Sequence, residues 1–464
     1  MKETASVRIQ SLDVLRALTM ALMIFVNDIP GLGDSIPHWL HHAAYDEDML
    51  GLSDIVFPLF LFCVGVSVPF ALQRRLDRGE SRTLCLGHVV ERTIALLVMG
   101  LFASNSFNLT GTALGLPPQL LKILSVVAFF LIWNHYPQDG GKKHRLYAAL
   151  VTVGWIVLGV LALLYVREPG EQDWIVNWGW LRFSMPGEGR YIFQFVAVLL
   201  MCAFLLLCRS WHSDGRSGGW VRFFTVVLLY LFLFKGPDAA GYVGLRPGWW
   251  QILGLIGWTY LLTSSVYLWI GPSVRRNLVA AGIALLVAAL SVSGLLGPVK
   301  NYIPGNGAFH AFAFAGVVAG LWLQQYGQRS DFGALAKRLL AAAAVAFVGG
   351  WIAHRFWIIS KLQETPSWVL YCLSIAFLCL LALHYVTDVR GKSAWFAAVR
   401  PAGVATLTCY LLPGIWYAMV SWLGIKYPAW ATVGFGGIIR AVLFTVLIIA
   451  ITAGLGKLKI RLKI

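Results

Sequence analysis

Apolar runs of about 20 residues recur from residue 17 almost to the last residues of the chain, each long enough to cross a bilayer as a helix. Nothing else in the sequence constrains the fold as strongly. A backbone in lipid must pair its own N–H and C=O groups, so these runs read as helices and not as open strands. Only 12% of the 464 residues are charged and 58% are hydrophobic, with a mean hydropathy of +0.72. A soluble globular domain carries about 25% charged residues. The expectation is an all-α polytopic membrane protein of about 12–14 transmembrane helices, forming a single integral membrane domain over residues 1–464.

Fourteen candidate spans can be marked: 17–31, 54–72, 92–105, 118–134, 147–166, 191–208, 221–235, 249–270, 278–296, 308–326, 339–358, 368–386, 402–422 and 431–453. Those at 92–105 and 221–235 are short, which leaves twelve crossings as the alternative. The net charge of +16 is spread over alternate loops, as in Arg74–Arg82, Lys142–Arg145, Arg209–Arg222, Arg275–Arg276, Arg329–Arg338 and Arg390–Arg400. That is the pattern of cytoplasmic loops, not of a nucleic-acid surface, so no nucleic acid is expected as a partner. Both termini then face the cytoplasm, and the loop at 32–53, with four acids and no Lys or Arg, faces outward. The start of the chain has no small-residue cleavage site, and the first span is expected to stay in the mature protein. The seven cysteines lie mostly inside apolar runs without metal-pair spacing, so no metal is expected. The loop 167–190 carries three tryptophans that suit either a membrane interface or a sugar ring.

Titratable groups crowd into one place. His38, His41, His42, Asp46, Glu47, Asp48 and Asp54 fall between the first two spans. Histidine titrates near neutral pH and can move protons there. Asp54 opens the second span, where a helix N-cap is the structural reading and a catalytic role the alternative. Asn27 near the outer end of the first span can cap the helix or donate to a developing oxyanion. Asp13 and Arg16 share a helical face, as an ion pair or as groups orienting an anionic donor from the cytoplasm. Lys122 and Arg440 sit inside spans, where an ion is expensive unless paired or hydrated. Lys122 lies near a span end and can snorkel, whereas Arg440 reads as central. The turn Pro304–Gly307 precedes a span and places Asn306 and His310 on the outer side, beside backbone suited to an anion or a sugar hydroxyl.

The segment 8–70 resembles the transmembrane N-acetyltransferase family typified by heparan-α-glucosaminide N-acetyltransferase. The residues that carry the resemblance are Arg8, Ser11, Asp13 and Arg16, then Val26 and Asn27, then His42, Ala43 and Tyr45, then Asp54, Val56, Phe57, Pro58, Phe60, Phe62 and Gly65. Ala17 stands where the family has Gly, Tyr45 where it has Trp, and roughly two more residues separate His42 from Asp54. Weaker matches involve Pro117 and Lys122, then Lys361, Thr365, Ser367 and Trp368, then Gly403, Leu407 and Tyr410. The region 170–275 has no counterpart.

The resemblance implies acetyl-CoA as acyl donor, an amino sugar of the glucosamine type as acceptor, a lipid bilayer around the protein, and a homodimer. It implies His42 as base or acetyl carrier and Asn27 as its partner, with Asp54 in the same group. His41, Asn306, His310, Lys361 and Trp368 stand as acceptor-side residues, and Asp13, Arg16 and Lys122 as donor-side residues. The setting expected is a bacterial inner membrane. The competing class is an amino-sugar transporter, which composition alone fits equally well.

Overall fold

The computed structural model describes residues 9–107, 111–112, 114–136, 143–166, 173–178, 181–186, 189–208, 211, 216–234, 245, 252–327 and 329–464. Arg8 of the N-terminal motif lies outside these, as do parts of the 167–190 loop and of the basic loops near residues 142 and 209. The protein is an all-α polytopic membrane protein. Ten helices among the described residues are long and apolar enough to cross a membrane, with shorter apolar helices at Pro118–Trp133, Tyr191–Leu207 and Gly218–Phe234.

In chain order the helices are α1 (Gln10–Asp28), α2 (Leu52–Asp77), α3 (Arg82–Phe107), α4 (Pro118–Trp133), α5 (Lys143–Leu164), α6 (Gly189–Leu207), α7 (Arg216–Leu231) and α8 (Ile252–Ile270). They continue with α9 (Val274–Val292), α10 (Ala308–Tyr326), α11 (Phe332–Ala353), α12 (Pro366–His384), α13 (Arg400–Val404), α14 (Thr406–Trp422) and α15 (Gly434–Lys457). Two short antiparallel pairs interrupt them, β1 (Gly111–Thr112) with β2 (Tyr165–Val166) and β3 (Asp173–Trp178) with β4 (Leu181–Pro186). The β3–β4 pair occupies the tryptophan-rich loop.

Several boundaries differ from the sequence reading: the helix expected at 17–31 runs Gln10–Asp28 and that at 339–358 runs Phe332–Ala353, and two further differences have a physical reason. The span expected at 92–105 runs from Arg82 to Phe107. Its first turns are polar, which lowered the apparent hydropathy, yet the polar groups are partnered: His88 pairs with Glu80 at 3.7 Å and the Arg92 guanidinium lies over the Tyr260 ring at 4.9 Å. The span expected at 402–422 is broken at Ala405 into α13 and α14.

The chain forms two compact units. The first comprises residues 1–78, 262–410 and 427–456, and the second the remainder. In the first unit α10 is buried along nearly its whole length and packs chiefly against α2. Gly316 and Gly320 bring the two backbones together: a Cβ on Gly320 would stand 2.6 Å from the Val66 carbonyl, and one on Gly316 would meet the Phe62 carbonyl. Small residues four apart are how helices approach closely in lipid, where apolar attraction between them is weak. Above this seam, Trp368 is fully buried, with Phe309 and Phe312 edge-on to it at 6.5 and 5.2 Å and Phe57 edge-on to Phe309 at 5.2 Å. Five of the seven cysteines are buried and none is in a disulfide, in line with their reading as small core residues.

Candidate active site

The loop between α1 and α2 is anchored before it reaches its histidines. Ile29, Leu32, Ile36 and Leu40 form a buried cluster against Ala441 of α15. The Ser35 hydroxyl accepts the Gly434 N–H at 2.8 Å, and the Ser53 hydroxyl donates to the Leu40 carbonyl at 2.6 Å. At Gly51 any Cβ would collide with the His41 carbonyl, so only glycine lets the returning chain pass there. The extra acidic residues form a turn in which Ala44 N–H binds the Glu47 carboxylate at 2.9 Å. Asp48 then ties that turn to the loop before α12, accepting the Ile359 N–H at 2.8 Å and facing His354 Nε2 at 2.7 Å. Burial raises the Asp48 carboxyl, but the Ile359 N–H and His354 outweigh it and hold the group below the usual carboxylate range. The inserted residues are thus taken up in a pinned turn and do not separate His42 from Asp54.

His42 Nδ1 lies 2.7 Å from Asp54 Oδ1. Asp54 is 1% exposed, and its other carboxylate oxygen accepts the Ala43 N–H at 2.9 Å. A carboxylate at Nδ1 fixes the tautomer with the proton on Nδ1 and leaves Nε2 as a lone-pair base. The His42 side chain is 39% exposed, so that base is open to a reactant. Asp54 is not the N-cap of α2: Gly51 occupies the cap, and Asp54 sits at the third helical position with its carboxylate turned to His42 and Ala43.

A proline and a tryptophan hold Asp54 in place. Pro58, four residues on, has no N–H to give the Asp54 carbonyl, so the normal helical bond at that point is missing. The Trp368 indole N–H fills the vacancy at 3.1 Å. Lys361 Nζ lies 3.3 Å from His42 Nδ1, 3.9 Å from Asp54 Oδ1 and 3.3 Å from the Ser53 carbonyl. With the Nδ1 proton given to Asp54, the Lys361 donor goes to the Ser53 carbonyl. Burial lowers the Lys361 amine from its ordinary range, and the Asp54 charge works against that lowering.

The other designated residues are placed differently. His41 is half-buried, its Nε2 has no hydrogen-bond partner among the described residues, and its ring stands 6.4 Å from that of His38. His38 pairs with Glu47 at 3.2 Å. Asn27 is exposed in the last turn of α1 and makes no side-chain hydrogen bond among the described residues. The Pro304–Gly307 turn does not offer free backbone to an anion, because Gly305 and Gly307 are buried. Asn306 donates instead to Glu364 Oε2 at 2.5 Å. Both residues have left-handed backbone, φ 48° and 56°, so two uncommon conformations support one contact. Burial pushes the Glu364 carboxyl up to about 7, against the opposing effect of the Asn306 hydrogen bond. His310 is buried in the first turn of α10, 3% exposed.

At the other end of the same unit, Arg16 donates to the Ser67 hydroxyl at 2.9 Å and lies 3.7 Å from Asp13. Lys122 belongs to the second unit, in the first turns of α4. Arg440 is not central in its helix: it is the seventh residue of α15, 3.1 Å from both the carboxylate and the carbonyl of Asp28, with the Tyr427 ring 5.0 Å below. The sequence reading missed Glu364 and the Asp48–His354 tie. An acid three residues from Lys361, in the short polar stretch before α12, was the available signal for the first. No local pattern marks the second.

Residues 8–176 match a family model described as "Domain of unknown function (DUF5009)". Over 104 residues the chain is 30% identical to heparan-alpha-glucosaminide N-acetyltransferase of Mus musculus, and over 98 residues 32% identical to that of Homo sapiens. Part of this chain resembles that N-acetyltransferase. The matched stretches are 22% and 21% of this chain and only 15% and 14% of the mouse and human proteins.

Proposed function

We propose that this chain is a membrane-embedded acyltransferase that moves an acetyl group from acetyl-CoA to an amino sugar of the glucosamine type. The observation that carries the proposal is the His42–Asp54 pair, a histidine oriented through Nδ1 with Nε2 left open. The names of the relatives supply the acyl group and the sugar class. In this reading His42 Nε2 takes a proton from the attacking amine as its nitrogen bonds to the thioester carbonyl. The C–S bond then breaks and the CoA sulfur leaves with a proton. If His42 attacks first, the same nitrogen carries the acetyl group transiently before the amine takes it.

Asn27 is the proposed donor to the thioester oxygen, and Lys361, which donates to the Ser53 carbonyl, is a proposed acceptor-side contact. Arg16 and Asp13 are the proposed contacts for the donor's charged end. The protein would work in a bacterial inner membrane with His42 outward and both termini cytoplasmic, as a homodimer.

The test is transfer of radiolabelled acetyl from acetyl-CoA to glucosamine by the purified protein in detergent. Wild type is expected to transfer and His42→Ala to lose the activity, with His41→Ala largely retaining it. Transfer lost in His41→Ala but kept in His42→Ala moves the base by one residue. No transfer by wild type to a panel of amino sugars, with saturable sugar uptake in proteoliposomes, replaces the enzyme with a transporter.

A further inference from the structure

Glu364 stands on the turn that closes over the His42 loop. Lys361 Nζ lies 3.3 Å from His42 Nδ1, and the Gln363 side chain donates to the Tyr45 carbonyl at 2.8 Å. The Ser360 hydroxyl donates to the same carbonyl at 3.3 Å. Within the turn, the Glu364 N–H donates to the Lys361 carbonyl and the Thr365 N–H to the Ser360 carbonyl, both at 3.1 Å. Residues three apart in such a turn keep their Cα atoms within about 7 Å. Lys361 and Glu364 therefore leave one short stretch of chain, Lys361 toward His42 and Glu364 toward Asn306.

The two oxygens of the Glu364 carboxylate are served unequally. Oε2 accepts the Asn306 amide, while Oε1 has no hydrogen-bond partner among the described residues. The residue is half-buried, and Oε1 keeps contact with solvent. Among the described residues only Asn306 opposes the effect of burial on this carboxyl, and no cation does. Lys361 turns its amine to His42, Asp54 and the Ser53 carbonyl, and Asp48 and His354 face each other at 2.7 Å. A partly buried carboxylate without a cation is unfavourable, and here Glu364 and Asn306 both hold left-handed backbone to present it. Such conformations persist where the surroundings enforce them, and they gather at ligand sites.

We propose that Glu364, held by Asn306, selects a cationic acceptor: the ammonium of an amino sugar takes Oε1 as the sugar enters toward His42. The choice of an amino sugar rests on the function proposed above, whereas the preference for a cation rests on the carboxylate itself. An ammonium supplies the missing charge through a charge-assisted hydrogen bond, the stronger kind. A hydroxyl in its place leaves the carboxylate without a cation, and a site built for one polar group rejects the analogue that leaves its own group unpaired. Recognition is tied to pH as well. The ammonium binds the carboxylate form, and Glu364 ionises near 7 in the free protein. Each pH unit below that leaves about a tenth as much carboxylate, while an amine stays protonated, so affinity for the amine falls as the pH falls.

The test uses the full chain in detergent, with glucosamine and glucose titrated by isothermal calorimetry in the absence of acetyl-CoA. At pH 7 glucosamine is expected to bind about tenfold more tightly than glucose, which carries a hydroxyl in place of the amine. Between pH 7 and 5.5 the affinity for glucosamine is expected to fall about tenfold and that for glucose to stay level. Glu364→Gln keeps the shape of the side chain. It is expected to bring the two sugars within about twofold and to remove most of the fall with pH. His42 is present in both proteins, so its share cancels in the comparison. No binding of glucosamine, equal affinity for the two sugars, or a preference that Glu364→Gln leaves in place overturns the proposal, even where acetyl transfer proceeds. A preference that Glu364→Gln abolishes, in a protein that transfers no acetyl, supports the cation site and counts against the enzyme instead. Should Glu364→Gln fail to fold, the wild-type pH series decides: glucosamine affinity that does not fall below pH 7 overturns the proposal.

Discussion

Replacing Asp54 by asparagine separates the chemistry of the His42 site from its architecture. The substitution keeps the shape of a side chain that is 1% exposed and removes only its charge and one acceptor. The Ala43 N–H, 2.9 Å away, needs an oxygen opposite it, so the amide orients with Oδ1 toward Ala43 and its NH₂ toward His42 Nδ1. An N–H donor there is compatible only with the tautomer whose proton sits on Nε2. The base at Nε2 is then lost while the ring stays in place. In a Ser-His-Asp triad the same exchange costs about 10⁴ in turnover, and general base catalysis alone is worth about 10²–10⁴. A loss of about 10³ in kcat, equal to about 4 kcal/mol of transition-state stabilisation, is expected, with KM for glucosamine changed less than about threefold. The assay is radiolabelled acetyl transfer over a range of acceptor concentrations, beside thermal melting in detergent. Asp54→Asn that melts like wild type and keeps more than a tenth of its kcat refutes the role given to the pair.

Trp368→Phe removes the indole N–H that the Asp54 carbonyl accepts at 3.1 Å and should lower stability by about 1–3 kcal/mol, read from thermal unfolding in detergent. Gly316→Ala puts a methyl against the Phe62 carbonyl and should destabilise by about 1–3 kcal/mol, whereas Gly282→Ala, with open space around it, should melt like wild type. Arg440→Leu leaves the Asp28 carboxylate, whose side chain is 8% exposed, without its cation, so the single variant should be less stable than Arg440→Leu combined with Asp28→Leu. Glu364 ionises near 4.5 when unfolded and near 7 when folded, so the folded state binds more protons between those values and stability falls as pH rises through that window. The total is on the order of 3 kcal/mol, and Glu364→Gln should flatten the stability curve between pH 4.5 and 7.

What could be read in advance followed from period and composition. Apolar length located the helices, because lipid forces the backbone to pair with itself along one segment. Where polar groups interrupt a span the reading fell short. The first turns of α3 look too polar to continue a helix, and only the partners of His88 and Arg92 show why they do. Arg440 looked central because the span marked at 431–453 begins in the turn before α15 and stops short of that helix's end at Lys457. The α1–α2 loop showed which residues matter but not which of them meet. Lys361 and Trp368 reach Asp54 across more than 300 residues of sequence, and no local periodicity encodes that approach.

The Pro58 position carries the argument about why those distant residues are needed. A proline in the second turn of α2 deprives the Asp54 carbonyl of its own helix's donor. The first turn of α2 therefore cannot be completed from within the helix, and its geometry depends on Trp368 arriving from α12. The same α12 is preceded by the loop that delivers Lys361 and holds Asp48 through Ile359. The His42–Asp54 pair is thus set by α12 as much as by α2. A substitution that shifts the start of α12 should disturb His42 before it disturbs the close approach of α2 to α10 at Gly316 and Gly320, since Trp368 meets α10 at Phe309 and Phe312, nearer the start of that helix.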